Sequence, residues 1–296
     1  MPRGHYAPLA TAIVFGFTSM ASATDLPIKA PVAAPPPFVV YNWTGFYVGT
    51  ALGGKWSSST WTTTSLFSPP FANPPLDASS PKNFDPSSSR FGVFFGYNWQ
   101  LSSRWVGGVE FDWAYANKTV TAAGVPGCAI LCIAGFPGPV ADLSSVSMRW
   151  DASARVRLGY LVLPNMLAYG TGGIAWQNIQ ASSFCQHSVV DPLCVVVAGN
   201  PFSTATDSVT RTGWTVGAGL DTRISGNWIV RGEYRYAYFG KWNDVLDLSV
   251  PGAPTTIGYQ LKVITQIATL GLAYQFGGPA AAISTKSLTR NFTWQM

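Results

Sequence analysis

The sequence predicts an all-β fold: an eight-stranded antiparallel transmembrane β-barrel with long extracellular loops and short periplasmic turns. Three observations carry this. Residues alternate in polarity with period two over repeated segments, the signature of strands with two different faces. Only 10% of the 296 residues are charged while 14% are aromatic, with twelve Trp, so something other than charge keeps the surface compatible with its solvent. Tight and long connections alternate, as in barrels whose long loops face outside and whose short turns face the periplasm.

The chain opens with a targeting pattern. Arg3 is followed by an apolar stretch from Leu9 to Phe17 and by Ala21-Ser22-Ala23, the order of a cleaved secretory signal. This gives a signal peptide at 1–23, a Pro-rich periplasmic linker at 24–41 containing Pro27, Pro31 and Pro35 to Pro37, a barrel at 42–276 and a C-terminal extension at 277–296. Beyond the signal there is no run of the roughly 20 apolar residues that a spanning helix needs, so any crossing of a membrane is by strands.

The first segment, from Trp43 to Trp56, sets Phe46, Val48 and Leu52 against Gly45, Tyr47, Gly49, Ala51 and Gly53. In the second, Phe91, Val93, Phe95, Tyr97 and Trp99 oppose Gly92, Gly96 and Asn98. The third sets Val109, Phe111, Trp113 and Tyr115 against Gly108, Glu110 and Asp112. In the fourth, Val146, Met148, Trp150, Ala152, Ala154, Val156 and Leu158 oppose Arg149, Asp151, Ser153, Arg155 and Arg157.

A fifth follows the turn at Pro164-Asn165, with faces left ambiguous by Gly170-Thr171-Gly172-Gly173. The sixth sets Trp214, Val216, Ala218 and Leu220 against Gly217, Gly219 and Asp221, and the seventh Trp228, Val230, Tyr234 and Tyr236 against Arg231, Glu233 and Arg235. The last carries Ile264, Ala268, Leu270, Leu272, Tyr274 and Phe276 on one face, with Lys262 breaking the parity.

A soluble sheet also alternates, so the aromatics decide. Trp43, Trp56, Trp99, Trp105, Trp113, Trp214 and Trp228 fall at or near predicted strand ends, where an amphipathic indole marks the headgroup level. The medium then demands closure, because an unpaired backbone group in hydrocarbon costs several kcal/mol.

In a barrel of about eight strands the side chains fill the lumen. Its inward face carries Glu110, Asp112, Asp151, Asp221 and Glu233 with Arg149, Arg155, Arg157, Arg231 and Arg235, which buried must pair. A salt-bridged interior is therefore expected; the alternative is a narrow diffusion pore for small solutes. Glu110 and Asp112 share one face, but among so many Arg they read as structural partners and not as a catalytic pair. A lone mature-chain His, His187, with no motif around it gives no nucleophile or base system. No enzymatic activity, cofactor or metal is predicted. The net charge of +5 is dispersed, which argues against nucleic acid.

Export makes disulfides feasible. Cys185 and Cys194 lie in one loop, favouring a loop-closing bridge over two free thiols, and the state of Cys128 and Cys132 stays open among the three pairings four Cys allow.

Several segments resemble the small outer-membrane β-barrel surface antigens of alphaproteobacteria, the porin-family or outer-membrane immunogenic proteins. They are Asp25-Leu26-Pro27 after the signal, Tyr41-Asn42-Trp43-Thr44-Gly45-Phe46-Tyr47-Val48-Gly49, Tyr169 to Gly173, Gly213 to Gly219, and the closing Tyr274 and Phe276. The resemblance implies location in the outer membrane, insertion by the outer-membrane assembly machinery and exposure as an antigen in the cell envelope. The implied partners are outer-membrane lipids and an extracellular ligand or host factor. It also implies that Leu270, Leu272, Tyr274 and Phe276 carry the insertion signal, although Gly277 to Met296 follow where such barrels usually end.

Overall fold

The computed structural model describes residues 41–69, 76–128, 142–186 and 199–277. The proposed signal peptide, nearly all of the linker, the extension beyond Gly277, Cys132, His187 and Cys194 lie outside them. The strands are β1 (Gly45–Phe67), β2 (Lys82–Phe84), β3 (Ser87–Gln100), β4 (Trp105–Ala123), β5 (Leu143–Leu163), β6 (Met166–Gln186), β7 (Phe202–Ser225), β8 (Trp228–Asp247) and β9 (Thr256–Gln275). All neighbours are antiparallel in the order β2-β1-β3-β4-β5-β6-β7-β8-β9, and β1 pairs with β9, so the sheet closes on itself. Eight long strands make the wall; β2 is a three-residue addition on the β3 side of β1.

The tight ends are at Ser102 to Arg104, at Pro164-Asn165 and at Gly226-Asn227, where Gly226 takes φ +52°. The other connections are shorter than the sequence suggests, because the strands run on. β1 spans 23 residues and β7 spans 24, twice the 9–11 that cross a bilayer. Trp56, Trp113 and Trp214 therefore sit within strands and not at their ends.

Those Trp still mark a boundary. Ten residues separate Phe46 from Trp56 on β1, roughly 34 Å of strand and about 25 Å of height at a tilt near 40°, the apolar band of an outer-membrane barrel. Within this belt the outward face is Phe46, Val48, Leu52, Phe91, Val93, Phe95, Val156, Leu158, Leu270 and Leu272, all exposed. Trp99, Trp105, Trp228 and Phe276 rim its periplasmic edge.

Above the outer Trp ring the polarity of the wall inverts. Outward positions become Thr204, Thr206, Ser208, Thr210, Lys241 and Asn243, while inward positions become Trp61, Leu66, Met148, Ile179, Leu261 and Val263, all buried in one apolar cluster. Trp61 stacks on Tyr259 at 4.6 Å between centroids. This upper half is built like a soluble barrel. Lys262 obeys the same rule: it points outward in the polar zone, not at a strand end.

Register shifts cluster at the inversion, between Tyr115 and Lys118, Met148 and Asp151, and Tyr238 and Lys241. A β-bulge changes which residues face inward, and one of these corrects the sequence reading of the fourth segment. Arg149 is exposed on the outer surface and takes no part in the interior, whereas Val146 and Met148, expected on the lipid side, are buried inside. On β8 the bulge uses Gly240 at φ +77°, and beyond Trp214 opposite Tyr238 the strands β7 and β8 no longer pair.

Candidate functional site: the barrel interior

The belt's interior holds six cations, Lys55, Arg90, Arg155, Arg157, Arg231 and Arg235, and five carboxylates, Glu110, Asp112, Asp151, Asp221 and Glu233, all buried. Nearest the periplasm, Asp221 receives Arg231 Nε at 2.8 Å, Arg231 Nη2 at 3.0 Å and Arg157 Nη2 at 2.8 Å. Glu110 next accepts Arg155 Nη2 at 2.5 Å, Tyr47 Oη at 2.7 Å and Arg231 Nη1.

Glu233 accepts Arg155 Nη1 at 2.7 Å and Tyr169 Oη at 2.9 Å. Asp112 takes both Nη atoms of Arg235, at 2.7 and 3.0 Å, together with Arg90 Nη2 and Ser153 Oγ. At the top, Asp151 binds Arg90 Nη2 at 2.7 Å and Lys55 Nζ at 3.0 Å, and Lys55 also donates to Gln177 Oε1 at 2.5 Å. Bidentate Arg pairing of this kind is the strong form of the ion pair.

The network contains a repeated row. Tyr47, Gly96 and Glu110 are direct cross-strand neighbours on β1, β3 and β4, and Tyr169, Gly219 and Glu233 are the same on β6, β7 and β8. Each Tyr lies over its Gly so closely that a Cβ there would stand 2.5 Å from the phenol oxygen. The glycines make room for the rings, and each ring donates to its Glu while flanking an Arg: Arg157 lies 3.9 Å from the Tyr169 centroid.

Both ends of the network are covered. Above it stands the apolar cluster around Trp61 and Tyr259. Below it Trp43 is wholly buried, its Nε1 donating to Pro164 O at 3.2 Å, so it belongs to the lower plug and not to the expected interfacial ring. The chain turns under the barrel before β1, which carries the ring inward. Arg223 packs 4.9 Å above Trp43 and donates to Gln275 Oε1 at 2.5 Å and to the Asn42 carbonyl at 3.2 Å. Between the layers, the void among Arg90, Asp112, Glu110, Arg155 and Arg235 is about 10 Å³, no more than one water requires.

Nine of the ten residues proposed for the interior network thus lie in it, and Arg149 does not. Lys55 and Arg90 share the inward parity of Tyr47 and Gly92, so extending that parity to the strand ends would have found them. Leu270, Leu272 and Phe276 are exposed on the lipid side. Cys128 and Cys185 are both disulfide-bonded and buried in the upper apolar cluster. Among the described residues no cluster of His, Cys, Asp or Glu has the arrangement of a metal site.

A closed antiparallel barrel with an apolar belt, aromatic rims and a charged, filled interior is a transmembrane β-barrel protein of the outer membrane. Comparison with known proteins makes this specific: the family model for the outer membrane protein beta-barrel domain matches residues 11–276, and the chain belongs to that family. It is 30% identical over 237 residues to the 31 kDa outer-membrane immunogenic protein of Brucella melitensis, covering 77% of this chain and 84% of the relative. It is 27% identical over 273 residues to the 25 kDa outer-membrane immunogenic protein of Brucella abortus, covering 90% and 96%. Among solved structures, the outer membrane protein OprG from Pseudomonas aeruginosa aligns with a TM-score of 0.48 at 11% identity, over 81% of this chain and 100% of that one.

Proposed function

We propose that the protein is a structural, surface-exposed component of the outer membrane, without enzymatic activity, whose barrel is closed to steady solute flow. The observation that supports this most directly is the continuous ion-pair network with a residual void of about 10 Å³. Water and ions need a continuous polar path, and here the carboxylates and most of the guanidinium nitrogens along the axis already bind one another. The upper half of the barrel stands clear of the lipid and presents a Ser- and Thr-rich wall, which supplies the surface an antigen or an extracellular ligand would meet. Insertion by the assembly machinery through the lipid-facing residues of β9 belongs to the same reading.

Planar-bilayer recording of the refolded full-length mature protein tests it. Silence or rare, brief openings are expected. A steady, large, weakly selective conductance would favour the narrow-pore alternative.

A further inference from the structure

We propose that a row of outward side chains across β2, β1, β9 and β8, centred on Lys241 and Lys262, binds the phosphate of an outer-leaflet lipid headgroup. The row is set by register: Asn83 stands opposite Thr60, Thr60 opposite Lys262, and Lys262 opposite Lys241. All four point away from the barrel, whereas Trp61, Leu261 and Trp242 beside them are buried in the apolar cluster. Lys241 owes its direction to the bulge. Tyr238 faces out and Phe239 in, so unbroken alternation would turn residue 241 into the barrel; the register shift between Tyr238 and Lys241, with Gly240 at φ +77°, turns it out to meet Lys262. Re-aiming a side chain is a recurrent use of a β-bulge.

Unliganded, this pair is unfavourable. Like charges directly opposite each other on a sheet repel, and neither ammonium has an ion-pair partner among the described residues. The adjoining rows bring no carboxylate to relieve them: Asn243, Gln260 and Thr62 stand above, and Tyr238, Ile264 and Ser58 below. A phosphate between the two ammonium groups removes the repulsion and accepts a charge-assisted hydrogen bond from each. Two carboxamides nearby are turned to donate as well. The Asn83 oxygen accepts from Thr60 Oγ1 at 3.1 Å and the Asn243 oxygen from Gln260 Nε2 at 2.9 Å, which leaves both NH2 groups without a described partner.

Height selects a lipid as the source of the phosphate. Trp56 and Tyr236, of the outer aromatic ring, stand on either side of Gln266. Lys262 lies four residues above Gln266 on β9, roughly 13 Å of strand and about 10 Å of height at a tilt near 40°. Headgroups extend roughly 5–8 Å beyond the hydrocarbon on each side, and lysine stems bend back toward that layer. Anionic lipids at this depth attract basic side chains.

Such a site requires location in the outer membrane and is indifferent to whether the lumen conducts. For the test, the full-length mature protein in detergent is titrated with bisphosphorylated lipid A and bound lipid is counted by native mass spectrometry. One lipid per chain is expected. Lys241→Ala with Lys262→Ala, and separately the use of dephosphorylated lipid A, should each weaken binding about tenfold, whereas Lys241→Arg with Lys262→Arg should hold it within twofold. Lys118→Ala with Arg149→Ala, an equal loss of charge from exposed positions on β4 and β5, should also leave it within twofold. The lipid-free Lys241→Ala, Lys262→Ala variant should unfold at no lower temperature than the unmodified protein, because a repulsion has been removed; a lower temperature would make the pair a structural part of the sheet and overturn the proposal. Equal weakening by the two double Ala variants would overturn it too, by reducing the site to diffuse wall charge. So would equal binding of dephosphorylated lipid A, or displacement of the lipid by millimolar inorganic phosphate or by a soluble sulfated polysaccharide, either of which would take the ligand out of the membrane.

Discussion

Glu110→Gln combined with Asp112→Asn is the most demanding perturbation of the closed interior. The native network carries six cations against five carboxylates, a surplus of one positive charge; the double variant raises it to three. Arg231 and Arg157 retain Asp221 and Arg90 retains Asp151, but Arg235 loses its bidentate partner and keeps Glu233 at 3.3 Å as an ion partner and the Ser153 hydroxyl at 3.0 Å. Breaking one buried pair typically costs about 3–5 kcal/mol. The two sites share Arg155, so their effects should not add, and a loss of about 5 kcal/mol is expected for the pair. With a urea slope of about 2–3 kcal/mol per M, the unfolding midpoint in detergent micelles should fall by about 2 M. The same variant should conduct in planar bilayers where the parent does not, because unpaired guanidinium groups recruit water. An unchanged midpoint together with an unchanged silent trace would refute the claim that these carboxylates hold the lumen shut.

Four further outcomes follow from other parts of the wall. Tyr47→Phe and Tyr169→Phe should each lower stability by about 1.5–3 kcal/mol, the range for a hydrogen bond to a charged group, and by similar amounts, since the two occupy equivalent rows; a large effect from only one, read by urea titration, would break the equivalence. Trp43→Ala should cost about 3–5 kcal/mol through the cavity it leaves and should expose Arg223 to modification by an arginine reagent added from the periplasmic side. Above the membrane, burial and then the neighbouring Asp244 hold the Asp207 carboxyl above its ordinary range, against the hydrogen bond from Tyr259. The native state therefore binds this proton more readily than the unfolded chain, so the contribution is present below the ordinary carboxylate range and is lost as pH rises through the raised value; Asp207→Asn should flatten that decline in urea midpoints measured from acid to neutral pH. Deleting Gly277 to Met296 should leave insertion intact while Phe276→Asp impairs it, as judged by heat-modifiable migration of outer-membrane fractions; the opposite pattern would show that the barrel signal lies in the extension.

The belt was legible in the sequence because only one parity there tolerates lipid. Phe91, Val93, Phe95 and Tyr97 declare their face without reference to anything else. Arg149 was not legible, because a bulge is invisible to a period-two count: the residue keeps its sequence parity with Asp151 while the backbone gains one residue and turns it outward. The same bulge explains why Val146 and Met148 look lipid-facing on paper. Trp43 misled for a different reason, since an indole just before a strand is equally suited to a headgroup ring and to a plug, and only the path of the chain under the barrel separates the two. Lys55 and Arg90 were concealed by their position at the upper limit of the belt, where a charged residue in an aromatic-rich segment reads as the end of a strand.

These failures share one physical origin, the change of solvent along a single wall. Inside the belt the lipid fixes the outer face as apolar and leaves the inner face to charge; above it water fixes the outer face as polar and the inner face turns apolar. A strand that crosses the boundary without a bulge must change the chemistry of both faces at once, as β1 does when Ala51 and Lys55 give way inside to Trp61 while Leu52 and Trp56 give way outside to Ser58 and Thr60. A strand that crosses with a bulge also shifts its register, as β4, β5 and β8 do. Both routes place the top of the ion-pair network, Lys55, Arg90 and Asp151, beneath the buried aromatics of the upper cluster. Lys55 meets the two requirements in one side chain, its ammonium reaching Asp151 and Gln177. An apolar residue there would strip Asp151 of one of its two cations, and a Lys further up β1 would leave Asp151 for the apolar cluster of Trp61, Tyr259 and Met148. The level at which the barrel leaves the lipid is therefore written on both sides of the wall, in the Trp ring outside and in the height of this one ion pair inside.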